Sequence, residues 1–199
     1  SWSLVLNQAD IASIGDGAAK DVVVTVTDKA GNSTVSAPQP LAVDTLVPTI
    51  SLSANQIATD NVINVYEADN GLVTYSGTVE SNIHSITASI GASTFSSTST
   101  PAAIVVNANN TWTLTLSKAQ LQAALGGALA GQLSAQFTAT DAAGNTTVTS
   151  PRVVEVDMDP PARPTYTIPG IADSKILASE VASNGSLTLT GTTQASSDS

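Results

Sequence analysis

The sequence predicts an all-β chain of tandem β-sandwiches, each with one short helix. Three observations predict it. Landmarks recur about 113 residues apart. Short runs of β-branched residues are separated by turn residues, the pattern of half-buried strands. Ala, Thr and Ser fill 80 of 199 positions, so small hydroxyls and methyls must cover much of the surface.

The recurrence is the strongest of the three, because a repeat fixes the organisation of the whole chain. Asp28-Lys29-Ala30-Gly31-Asn32-Ser33-Thr34 returns as Asp141-Ala142-Ala143-Gly144-Asn145-Thr146-Thr147, 113 residues on. At that same spacing Val43-Asp44 matches Val156-Asp157, Pro48 matches Pro161, Asp60 matches Asp173 and Glu67 matches Glu180. Asn70-Gly71 and Gly77-Thr78 match Asn184-Gly185 and Gly191-Thr192 at 114, and Trp2-Ser3-Leu4 matches Trp112-Thr113-Leu114 at 110. The expected organisation is the C-terminal half of a repeat over 1–45, a complete repeat over 46–158 and the N-terminal half of the next over 159–199. On this reading neither terminus coincides with a natural domain boundary.

Within the repeats, residues 22–27 (Val-Val-Val-Thr-Val-Thr) read as a strand through their β-branched side chains. Their counterpart, 133–140, alternates Leu, Ala, Phe and Ala with Ser, Gln and Thr, which marks one buried face. Residues 112–116 alternate Trp, Leu and Leu with Thr. Further strands are expected at 49–53, 72–79, 83–90, 103–106 and 146–156. Residues 117–125 read as the helix: Ser117 can cap, Gln120 completes a capping box, Leu121 and Leu125 share a face, and Gly126-Gly127 ends it. About seven strands in about 110 residues with turns between them indicate an immunoglobulin-like sandwich. Trp112 is expected in its core, and Trp2, the equivalent in a half repeat, partly exposed.

Composition excludes several functions. The chain has six Lys and Arg against sixteen Asp and Glu, a net charge of −10, which argues against nucleic-acid binding. No apolar run reaches the roughly 20 residues of a membrane helix, and the first residues, Ser1-Trp2-Ser3-Leu4, do not read as the basic start of a signal peptide. Cys is absent and there is one His, so thiolate and His-rich metal sites are excluded. His84 has no nucleophile elbow or phosphate loop to work with. No catalytic site is expected. The Asn-x-Ser/Thr sequons at Asn32, Asn109, Asn145 and Asn184 read as Thr-rich turns.

The motif Asp-x-x-Gly-Asn-x-Thr, followed sixteen residues from its Asp by Val-Asp and then by a Pro-marked linker, resembles the bacterial Ig-like repeats of giant surface adhesins. These are the non-fimbrial adhesins and biofilm-associated proteins of Gram-negative bacteria, exported by type I secretion. The resemblance covers the whole chain. It implies an extracellular rod at the bacterial cell surface, monomeric, with neighbouring repeats of the same chain as partners and distal domains meeting host or abiotic surfaces. It also implies calcium at the domain junctions.

The acidic residues can be placed by pole. In such a sandwich the Asp141 turn lies at the N-terminal pole and Asp157 at the C-terminal pole. With sixteen residues between them they stand up to roughly 50 Å apart, so one ion cannot bind both. Asp44, ending the first repeat, is expected to face the Asp141 turn, with the Glu80-Ser81-Asn82 turn beside it. Asp157 and Asp159 are expected near Asp60, Glu67 and Asp69 at the other pole. Calcium takes six to eight oxygen ligands and needs neither His nor Cys. The candidate ligands are therefore Asp44 and Asp141, with Glu80, at the first junction, and Asp60, Glu67, Asp157 and Asp159 at the second. The Asp-x-x-Gly-Asn segment reads equally as a plain hairpin turn in which Asp bonds its own backbone.

Two further readings stay open. One repeat could bind a host glycan or receptor through a loop, which an aromatic cluster at a loop tip would favour; the sequence shows none. The repeats could also be accessory modules of a secreted hydrolase.

Overall fold

The computed structural model describes residues 1–169, 175–179, 181 and 185–193. It divides into two compact units, Ser1–Asp157 and Met158–Ser199.

The first unit opens with helix α1 (Gln8–Ile14). Asn7 caps it, accepting from the amides of Ala9 and Asp10, while Asp10 accepts from the Asn7 amide. This reciprocal capping satisfies donors that a helix start leaves unpaired. Strands β1 (Gly17–Val22), β2 (Thr25–Thr27), β3 (Ser33–Val35) and β4 (Gln39–Val43) follow. β1 pairs antiparallel with β4, and β2 with β3.

The next elements are β5 (Ile50–Leu52), β6 (Val62–Asn64), α2 (Val65–Asp69), β7 (Thr74–Val79), β8 (Ser85–Ile90), β9 (Ser93–Ser96) and β10 (Ile104–Val106). After them come β11 (Thr111–Thr115), α3 (Lys118–Ala124), β12 (Ala130–Thr140), β13 (Thr146–Val148) and β14 (Arg152–Asp157). They form two sheets, β10-β11-β7-β5 and β6-β14-β12-β8-β9, with β13 also on β12. β6 joins β14 in parallel.

The two sheets face each other through a core that the alternation of side chains supplies. β12 turns Leu133, Ala135, Phe137 and Ala139 inward, and β8 turns Ile86, Ala88 and Ile90. Trp112 and Tyr75 come from the other sheet and meet Phe137, with ring centroids 4.5 Å and 5.6 Å apart. Trp112 has no exposed surface. The architecture is the immunoglobulin-like sandwich that the strand pattern predicts.

Four local features depart from the sequence reading, the first being that the strand expected over 22–27 is broken between β1, which ends at Val22, and β2, which starts at Thr25. Beside the expected helix, where Ser117 and Gln120 do form the capping box, a second helix, α2, occupies the crossing after β6. The strand expected over 146–156 is broken in two. Pro151 carries no amide to donate, and the chain shifts at Thr149: its amide bonds the Phe137 carbonyl at 2.8 Å and its hydroxyl takes the Phe137 amide at 3.1 Å. Ten short strands, rather than about seven, make up 46–158.

The strand registers themselves repeat. Lys20, Asp21 and Val22 face Leu41, Pro40 and Gln39. Leu133, Ser134 and Ala135, each 113 residues later, face Val154, Val153 and Arg152. Thr25 and Val26 face Val35 and Thr34, as Thr138 and Ala139 face Val148 and Thr147. The second unit carries the matching opening strands, β15 (Thr165–Thr167) and β16 (Thr190–Thr192). Tyr166 faces Gly191 there, as Leu52 faces Gly77 in the first unit, 114 residues earlier. Both glycines hold the same tight approach. A Cβ on Gly77 would collide with the Ser51 carbonyl, and one on Gly191 with the Thr165 carbonyl. Asp173, Glu180 and Asn184, which the repeat also matches, lie outside the described residues. No helix among the described residues is long and apolar enough to cross a membrane.

Candidate functional site

The turn over 141–145 is built by its own side chains. Asp141 Oδ1 accepts from the amides of Ala143 at 2.9 Å and Asn145 at 2.8 Å, and Oδ2 accepts from Asn145 Nδ2 at 2.9 Å. Gly144 takes φ +95°, which the Cβ of other residues disfavours. Asp28 makes the same bonds to Ala30 and Asn32, with Gly31 also at +95°. The Asn145 side chain holds the Asp141 carboxyl below the usual carboxylate range, helped by the backbone amides. Asn32 does the same for Asp28.

This turn touches the end of β4. Asn145 Nδ2 also donates to the Asp44 carbonyl at 3.2 Å, so Asp44 meets the Asp141 turn as the pole argument expects. The linker that follows is pinned along its length. Asp16 accepts from the Thr45 amide and hydroxyl, and Asp44 Oδ1 accepts from the Leu46 amide at 3.3 Å. Pro48 is buried. Thr49 donates its amide to Glu80 Oε2 at 2.9 Å, and the Glu80 amide returns a bond to the Thr49 carbonyl at 3.1 Å. Asp44, Asp141 and Glu80 thus border one short connection. Asp16 and Asn145 take part in it and were not singled out from the sequence. Asn145 sits inside the recurring motif. Asp16 has Leu129 at the equivalent position, so the repeat carries no signal for it.

At the other pole, Asp157 ends β14 opposite Asn64. Asn64 caps α2 by accepting from the Glu67 amide at 3.0 Å. Glu67 is buried, with 3% of its surface exposed. Its Oε1 accepts from the Thr59 hydroxyl at 2.6 Å and the Thr59 amide at 3.2 Å, and its Oε2 accepts from the Asn64 amide at 3.2 Å. Asp60 caps the Val62 amide at 2.9 Å and is exposed. Asp69 pairs with Lys118 at 3.2 Å, tying α2 to α3. Asp159 is exposed at the start of the second unit.

The donors bordering the first junction are carboxylate and carbonyl oxygens, the chemistry of a calcium site. They are not gathered into a cage. Among the described residues, no three acidic or histidine side chains form a group able to hold a metal ion. His84 borders a shallow cavity of about 370 Å³ with Ile83, Ser97, Thr98 and Ile104, and no carboxylate lines it.

Two solved structures similar to this chain are those of bacterial adhesins. One is a Ca2+-stabilized adhesin that helps an Antarctic bacterium reach out and bind ice. It is 28% identical, with a TM-score of 0.47 over 94% of this chain and 42% of that one. Another is a 1.5-MDa bacterial ice-binding adhesin, studied for host cell surface retention. It is also 28% identical, with a TM-score of 0.41 over 79% of this chain and 47% of that one. This chain spans less than half the length of either. No curated protein matches it. A family model for the bacterial Ig-like domain matches residues 42–158, which takes in the whole two-sheet sandwich and its leading linker. The chain belongs to the bacterial Ig-like domain family.

Proposed function

We propose that this chain is a spacer segment of a long, repetitive bacterial surface adhesin, and that its work is mechanical. It holds a distal binding domain away from the cell, outside the membrane, and the junctions between repeats set how stiff the rod is. The observation that carries this reading is the first junction. A short linker, bordered by Asp16, Asp44, Glu80 and Asn145, leads from the opening strands into the complete sandwich with side chains from both sides.

Calcium is the proposed stiffener. Asn145 Nδ2 bridges the Asp44 carbonyl and the Asp141 carboxylate. Turning that amide end for end replaces a donor with an oxygen, so that Asp44, Asp141 and Asn145 each offer an oxygen toward one point. Water and Glu80 are the proposed source of the remaining ligands. At the other pole Asp157, Asp60 and Glu67 are the proposed set, and Glu67 would have to release Thr59 or share its oxygens. Bound calcium would neutralise carboxylates that few basic residues are present to balance.

Calorimetric titration of chelator-stripped protein tests the calcium reading. Saturable binding below millimolar calcium that Asp141→Asn weakens supports it. Heats no larger than dilution would leave the junctions held by packing alone.

A further inference from the structure

The two sheets of the complete sandwich end in four outer strands, β10 and β5 on one, β6 and β9 on the other. An outer strand presents unpaired amides and carbonyls, and folded proteins guard such edges, most often with charge. Asp60 accepts from the Val62 amide where β6 begins. Glu80 bonds Thr49 next to β5, and Arg152 lines a hollow with Ile50 and Leu52 of that strand. β9 is Ser and Thr around one buried Phe95.

β10 is different. It consists of Ile104, Val105 and Val106, and no Asp, Glu, Lys or Arg occurs from Ser81 to Ser117. The acidic residues that give the chain its net charge of −10 all lie outside that stretch, so repulsion between two copies is weakest along this edge. Between Leu72 and Leu129 the exposed large apolar side chains are those of Val105 (51%) and Val106 (38%).

The ladder fixes which backbone groups are free. Val105 faces Thr113 of β11, two places from Asn107, whose amide donates to the Thr111 carbonyl at 2.8 Å. Antiparallel pairs alternate between bonded and unbonded, so Val105 also bonds β11, while the amides and carbonyls of Ile104 and Val106 point outward. Beside this edge Ile104, Val106, Ile83 and His84 border the open hollow of about 370 Å³, which has no Asp, Glu, Lys or Arg in its lining.

We propose that the β10 edge docks the β10 edge of a second copy of this chain, the two strands pairing antiparallel about a twofold axis at Val105. In that register Ile104 of each copy faces Val106 of the other, which uses every outward amide and carbonyl of both strands. Facing residues project to the same side of a sheet, so Val106 of each copy comes to lie beside Ile104 of the other, at the mouth of its hollow. Val105 meets its own counterpart on the opposite side. One patch thus serves both copies, the self-complementary arrangement of a twofold dimer. The contact covers far less than the roughly 800 Å² per partner of a stable complex, so two free chains pair weakly. This departs from the monomer that the family resemblance implies. The inference rests on the edge of the sandwich alone, not on the spacer reading or on calcium.

Because the chain has no cysteine, one introduced thiol reports one contact. In an unbonded antiparallel pair the Cα atoms stand about 4.5 Å apart, within reach of a disulfide. The 199-residue chain carrying Val105→Cys is oxidised with glutathione in chelator and compared with Val153→Cys, at a position of similar exposure (55%) on β14. The expected result is a disulfide-linked dimer that forms several-fold faster from Val105→Cys. Adding Val106→Lys, which sets a charge at each hollow, should bring that rate down to the control. In the linked dimer the amides of Ile104 and Val106 should be protected from hydrogen exchange, and in the reduced protein they should exchange freely. Melting midpoints of the reduced variants check that each is folded; should Val106→Lys unfold the chain, the exchange comparison decides. The proposal is overturned if Val105→Cys links no faster than Val153→Cys, or if Val106→Lys leaves the rate high in a folded chain. It is also overturned if Ile104 and Val106 exchange freely in the linked dimer.

Discussion

The side-chain amide of Asn145 bonds both the carboxylate of Asp141, in its own turn, and the carbonyl of Asp44, 101 residues earlier in the chain. One residue thus closes a hairpin turn and fastens it to the chain just after β4. The same geometry depresses the Asp141 carboxyl.

Asn145→Ala removes the largest cause of that depression, so the Asp141 carboxyl should rise toward the ordinary carboxylate range. The sign follows from linkage. A carboxyl whose folded value lies below its unfolded value adds stability that is present above the unfolded value. That stability is lost as pH falls through the folded value. The wild-type turn should therefore hold through mild acid and loosen only below the ordinary carboxylate range, and the variant should loosen earlier. Carboxyl chemical shifts followed against pH check this; matching titration curves for Asp141 in the two proteins would contradict it.

Trp112→Ala should destabilise the sandwich by roughly 3 to 5 kcal/mol, because a large buried aromatic leaves a cavity that its neighbours fill only in part. Chemical denaturation of the two proteins measures the difference. An unchanged midpoint would mean that Trp112 is not the centre of the core.

Tyr75 is buried, and its hydroxyl has no hydrogen-bond partner. Burial pushes the phenol up to about 12. A folded value above the unfolded value of about 10 makes a contribution that is complete below pH 10 and is lost as pH rises toward 12. Tyr75→Phe should therefore match or exceed wild-type stability at neutral pH, since it deletes an unpaired buried hydroxyl. It should also remove this part of the alkaline loss. Thermal melts at pH 7 and pH 11 test both halves, and a clear loss at pH 7 would show that the hydroxyl has a partner.

Glu67→Ala leaves the amides of Thr59 and Asn64 without their acceptor. Thr59 and Asn64 are exposed, so water can take over their amides and the cost should be about 0.5 to 1.5 kcal/mol, the net worth of an ordinary hydrogen bond. A structural cap loses this amount with chelator present. A loss seen only with calcium would instead assign Glu67 to the ion.

These residues show what the sequence disclosed and what it hid. The repeat spacing and the alternation over 133–140 were legible because a sandwich demands them. Ser117 with Gln120 announced α3 by the spacing of a capping box. Asn64 with Glu67 carries that same spacing, yet the pair reads as acidic loop until the burial of Glu67 is seen. Pro151 signalled a break that the surrounding β-branched residues concealed. Asp16 left no trace, because its bond to Thr45 spans 29 residues and its position does not recur.

The account of a spacer stiffened by calcium is tested most directly by small-angle scattering from the whole chain, first in calcium and then in excess chelator. It predicts that the maximum dimension is greater and the profile more rod-like in calcium, and that Asp141→Asn abolishes the difference. Superimposable profiles in calcium and chelator would contradict it.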